Sequence, residues 1–84
     1  MINKIRNMGD KRAIIIADFI TDTKIRFKYL VSKTIGGMYI LENQNIELVN
    51  GEVDTQIINT WDFEEVEKWY KEVIDHKNSV IQQV

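Results

Sequence analysis

Few residues in this chain have the types that covalent chemistry needs. Among 84 residues there is one histidine, His76, and no cysteine. Nucleophilic catalysis requires a base held beside a nucleophile, and His76 falls near the expected end of a helix with no such neighbour in the pattern, so it reads as an ordinary capping or surface histidine. Gly36-Gly37 is the only glycine pair. A phosphate-binding loop opens a helix, whereas this pair leads into Met38-Tyr39-Ile40, an apolar stretch that reads as a strand. No catalytic residue, cofactor or metal is expected, and neither is an enzyme.

The carboxylates are more informative. Between Thr34 and Glu67 there is no lysine or arginine, while Glu42, Glu47, Glu52, Asp54, Asp62, Glu64, Glu65 and Glu67 fall there or at its border. Asp62 and the glutamates after it stand at a helix start, where the dipole favours negative charge. That leaves Glu42, Glu47, Glu52 and Asp54 without a structural account. Asn50-Gly51 between two apolar runs signals a two-residue hairpin loop. That loop would set Val49 against Glu52, Leu48 against Val53, Glu47 against Asp54 and Ile46 against Thr55. Ile46, Leu48, Val53, Thr55 and Ile57 would then face the core, with Glu47, Glu52 and Asp54 outside. Like charges opposite one another on a sheet cost about 0.2–1 kcal/mol. A convex acidic ribbon lacks the loop carbonyls of a calcium cage, so the natural compensating partner is a protein with a basic surface. Trp69, at the edge of the expected helical stripe, joins these four as a candidate contact residue.

A second reading starts from the bases. Residues 1–33 carry eight bases and three acids, and the remainder three bases and ten acids. Lys24, Arg26 and Lys28 alternate along one strand and would present three positive charges to a nucleic-acid backbone. Phe27 and Tyr29 have the opposite parity, whereas single-strand binders stack bases on aromatics that share the charged surface. Nucleic acid is therefore the lesser alternative.

The elements that must position these residues follow from periodicity. Ile2, Ile5 and Met8 recur as on a short helix that ends at Gly9. Arg12–Ile20 is apolar at both parities except at Asp18, as in a central strand. Lys24–Val31 alternates cleanly after a Thr21-Asp22-Thr23 turn. Met38–Glu42 and Ile46–Val49 read as separate strands divided by an Asn43-Gln44-Asn45 turn, and Glu52–Ile58 as the last strand. Asp62 is placed to cap the final helix, Glu65 to close a capping box and Trp61 to staple onto Val66. Phe63, Val66, Tyr70 and Val73 form the buried stripe, and Asn78-Ser79 is a weak point after which the helix ends or frays.

The expected architecture is a single α+β domain over residues 1–84. It has two layers: a mainly antiparallel sheet of about five strands, and a C-terminal helix packed on one face. The longest apolar run, Ala13–Ala17, is far short of the roughly 18 residues that span a bilayer, so no membrane partner is expected and a cytoplasmic location is. The function expected is a small protein-binding module acting through its acidic face. Abundant Ile, Lys and Asn point to A/T-rich coding, as in phages and mobile elements whose products inhibit host nucleic-acid enzymes such as defence nucleases. A self-assembling subunit is the remaining alternative, with an uncovered strand such as Met38–Glu42 pairing between copies.

Overall fold

A computed structural model describes residues 1–9 and 13–81. Four strands, β1 (Ile14–Ile20), β2 (Ile25–Lys33), β3 (Tyr39–Glu47) and β4 (Val53–Thr60), form an antiparallel meander in the order β1-β2-β3-β4. A short helix α1 (Ile2–Arg6) precedes them and a long helix α2 (Phe63–Ile81) follows. The class is α+β, with four strands where the sequence pattern implied about five. No helix among the described residues is long and apolar enough to cross a membrane.

Local chemistry sets the turns. Between β1 and β2 the Lys24 amide donates to the Thr21 carbonyl at 2.9 Å, and Lys24 itself adopts φ 61°. Between β2 and β3 the Thr34 hydroxyl accepts the Met38 amide at 3.0 Å while Gly37 takes φ 97°, a conformation that glycine adopts without steric cost.

The core lies between one face of the sheet and α2. Val66, Trp69 and Val73 from the helix meet Tyr29, Val31, Tyr39 and Leu41 from the central strands, and Ile5 of α1 with Met8 just after it closes the end. Val66 is fully buried, which stabilises by about 1.5–3 kcal/mol relative to exposure. Three aromatic contacts trace the path of α2: Phe63 on Tyr39 at 5.5 Å, Trp69 edge-on to Tyr29 at 6.3 Å, and His76 edge-on to Phe27 at 4.6 Å. The helix therefore starts over β3 and ends over β1 and β2. Asp62 caps it, its Oδ1 accepting the Glu64 amide at 3.0 Å, as expected. The Asp62 amide goes to the Thr60 hydroxyl at 3.0 Å, the place that a Glu65 capping box would fill. Asn78 and Ser79 lie within α2, so the helix passes His76 without a break.

Several other expectations are corrected. Asn43-Gln44-Asn45 is not a turn. These residues pair with Tyr29, Lys28 and Phe27 on one side and with Gln56, Thr55 and Asp54 on the other, so ladders on both edges hold polar residues extended against their turn preference. The first strand is an edge, not a centre. Its apolar character at both parities comes from a bulge between Ile15 and Ala17, which leaves Ile16 and Ala17 both buried. Arg12, where that strand was expected to begin, and Val84, at the far end of the helical stripe, lie outside the described residues.

The hairpin register also differs. Ile46 pairs with Val53 and Asn45 with Asp54, leaving residues 48–51 as the loop. Type I′ needs positive φ at both central residues, and of Asn50 and Gly51 only Gly51 has it, at φ 73°. Asn50 instead turns its side-chain oxygen to the Glu52 amide at 3.0 Å, and the Leu48 amide is held by the Lys24 carbonyl at 3.0 Å.

Candidate acidic interface at the hairpin end

Because β3 is one continuous strand, the side-chain alternation that puts Tyr39 and Leu41 in the core carries on to Asn43, Asn45 and Glu47. Across the ladder, Asp54 opposes Asn45 and the Glu52 carbonyl accepts the Glu47 amide at 2.8 Å. Glu47, Glu52 and Asp54 thus share the face that α2 covers, beyond the point where the helix has crossed toward β1. With Ile25, Phe27 and Asn45 they line an open groove of about 220 Å³. The expected assignment of faces is inverted: Ile46, Val53, Thr55 and Ile57 lie on the helix-free face.

Glu42 does not belong with the other three. It pairs with Leu30 and Ile57 on the helix-free face, where its carboxylate accepts a hydrogen bond from the Gln44 amide. Trp69, expected at the exposed edge of the helical stripe, is buried instead. It is 9% exposed and packed on Tyr29, whereas Trp61 is 68% exposed, so the staple expected between Trp61 and Val66 does not form.

The three remaining carboxylates are exposed, and among the described residues none of them has an ion-pair partner. Beside them the side-chain oxygens of Asn43 and Asn45 are buried without a hydrogen-bond partner. These two amides escaped the sequence reading because an Asn-Gln-Asn run is a turn signal. The cue available was a lone Asn-Gly farther on, which already supplies the hairpin.

The bases are dispersed or engaged. Arg26 makes a two-point ion pair with Asp18 across the helix-free face, Nε to Oδ1 at 2.7 Å and a second nitrogen to Oδ2 at 2.5 Å. That hydrogen bonding holds the Asp18 carboxyl below its ordinary range, with the charges of Arg26 and Lys28 adding to the effect. Lys28 stands in the ladder between Asp18 and Gln44, and Lys24 lies in the turn rather than in line with the other two. Phe27 and Tyr29 lie under the helix. Arg6 is drawn over the Phe63 ring at 4.5 Å and lies 3.8 Å from Glu67.

His76 is packed rather than poised. Its ring stands edge-on to Phe19 and Phe27, and its Nδ1 lies 2.8 Å from the Tyr29 hydroxyl. No group of three or more histidines and carboxylates among the described residues is arranged to hold a metal ion. The geometry is one of carboxylates on a short apolar floor at the end of the sheet that carries the hairpin. Comparison with known proteins adds no relative to this picture, since no family model, no curated protein and no solved structure matches the chain.

Proposed function

We propose that this chain is a non-enzymatic protein-binding module that engages a partner with a basic surface through Glu47, Glu52 and Asp54. The observation that carries the reading is the diagonal course of α2, which leaves three carboxylates, without an ion-pair partner among the described residues, together on one face of the hairpin end beside Ile25 and Phe27. Clustered charge of one sign speeds encounter with the opposite sign and fixes orientation, while the apolar floor supplies area that can be desolvated. Enzymes acting on nucleic acids carry basic surfaces by function. A compact carboxylate cluster can stand where their phosphates would, which makes an inhibitor of such an enzyme the specific form of the proposal.

Affinity capture with the wild type and with a Glu47→Lys/Glu52→Lys variant tests it. Both positions are exposed and have no ion-pair partner among the described residues, so melting temperature should stay nearly constant. The expected outcome is a stoichiometric protein held by the wild type, released by salt and lost from the variant. A partner retained equally by a folded variant refutes the role of these carboxylates.

A further inference from the structure

We infer that β4 is a docking edge for a second copy of this chain, the two β4 strands pairing antiparallel to make one continuous eight-stranded sheet. The inference is independent of the acidic contact above, since it rests on the backbone of the edge strand. The Glu47 amide donates to the Glu52 carbonyl, and bonded pairs in an antiparallel ladder recur at every second position. The main-chain groups of Asp54, Gln56, Ile58 and Thr60 therefore point to β3, and those of Val53, Thr55, Ile57 and Asn59 point outward from the sheet.

Natural edge strands are guarded by lysine, proline, inward-pointing charge, bulges or short length. Of these β4 has only one, Asp54 near its start. Its eight residues include no lysine, no proline and a single charge, Asp54, and its register with β3 runs without a shift. Val53, Ile57 and Ile58 are 58%, 56% and 53% exposed. The opposite edge does carry a guard, the bulge between Ile15 and Ala17 of β1. Pairing through β4 leaves only β1 at each outer edge, so assembly closes at two copies instead of growing into a fibre.

Symmetry selects the alignment. A twofold axis normal to the sheet keeps both α2 helices on one face and sets residues of like parity opposite each other, so the pairing centres on one residue. Centring on Ile57 pairs three of the outward-facing residues, whereas centring on Gln56 pairs all four. It sets Thr55 against Ile57 of the second copy and Val53 against Asn59, about eight new main-chain hydrogen bonds in all. On the helix side it sets Asp54 against Ile58 of the second copy. Ile58 lines one groove of about 270 Å³ with Leu41, Trp69, Lys68, Glu65 and Glu72. The match is one of main chain to main chain, made twice by the twofold axis.

The test is the mass in solution across a dilution series by sedimentation, on the full chain. The wild type should show twice the 9.9 kDa chain mass at the concentrated end. Ile57→Pro deletes an outward amide without touching the β3 ladder, and edge strands accept proline at such positions. It should remain folded and be monomeric throughout. Hydrogen exchange supplies a readout that needs no variant: the amides of Val53, Thr55, Ile57 and Asn59 should gain protection in step with the dimer. A wild type that is monomeric at every concentration overturns the inference. So does a dimer in which those amides exchange freely. Ile57→Pro leaves Glu47, Glu52 and Asp54 intact, so loss of self-association and loss of the acidic contact are scored separately.

Discussion

Replacing Asn43 with valine should stabilise this protein. Asn43 lies in a central strand, its side chain on the helix side two residues beyond the buried Leu41, and its Oδ1 is buried without a partner. A buried acceptor left unpaired costs about 1–3 kcal/mol. Valine removes that cost, and its branched side chain suits a pleated central position by up to about 1 kcal/mol. Against this stands the loss of whatever packing the amide makes, so a net gain of about 1–2 kcal/mol is expected. For a domain of this size that corresponds to about 4–8 °C in melting temperature per kcal/mol. Urea titration followed by the circular dichroism of α2 would show a higher midpoint at unchanged slope. Asn59→Val is the control, because Asn59 is exposed on β4 and substitution there should shift stability by no more than about 0.5 kcal/mol. A midpoint that falls in Asn43→Val, or rises equally in both variants, refutes the idea that this amide is a cost the fold carries.

The two tryptophans should behave oppositely. Trp69→Ala removes a ring that is 9% exposed and edge-on to Tyr29, and should cost about 3–5 kcal/mol, whereas Trp61→Ala, at 68% exposure, should cost under about 0.5 kcal/mol; denaturant melts distinguish them, and equal losses would contradict the placement of α2. The Asp18–Arg26 pair should lend a modest, pH-dependent stability. The folded carboxyl titrates below its ordinary value because Arg26 hydrogen-bonds it, so this contribution is present above the unfolded pKa of about 3.9 and is lost as pH falls through the lower folded value. Asp18→Asn should remove that acid-range slope, lower stability equally at neutral and alkaline pH, and leave the slope above pH 10 unaltered. In that alkaline range the desolvated Tyr29 hydroxyl, raised above its ordinary value, contributes stability that is present below the unfolded pKa of about 10 and lost as pH rises through the folded one.

Much of the fold was legible because the determining signals are local. The Thr21–Lys24 turn, the clean alternation of Ile25, Phe27, Tyr29 and Val31, and the Asp62 cap all act within a few residues and survive in the structure. What misled were the features that depend on neighbours. Asn43-Gln44-Asn45 has turn chemistry in isolation, but strands on both sides supply ladder partners for its main chain, and that outweighs the preference. Ile14-Ile15-Ile16 looks like a strand covered on both faces, yet a single extra residue at the bulge accounts for the doubled apolar parity. The fifth strand vanished for the first reason and the central position of β1 for the second.

The candidate site shows how one such error propagates. Dividing β3 at Asn43–Asn45 frees the hairpin beyond it to choose its own inner face, and Ile46, Val53 and Ile57 are the natural choice. Once β3 is continuous that freedom is gone, because the parity fixed by Tyr39 and Leu41 in the core reaches Glu47 without interruption. The apolar residues are then forced outward and the carboxylates onto the helix face, and the two-residue register shift between the expected and the observed hairpin leaves that parity unchanged. The acids can be borne there only because α2, anchored by Phe63 on Tyr39 and by His76 among Phe19, Phe27 and Tyr29, has already crossed toward β1. Residue type picked out Glu47, Glu52 and Asp54 as charges that lacked a structural account. The direction of one helix, set by aromatic contacts far apart in sequence, determines that they lie exposed together instead of buried beneath it.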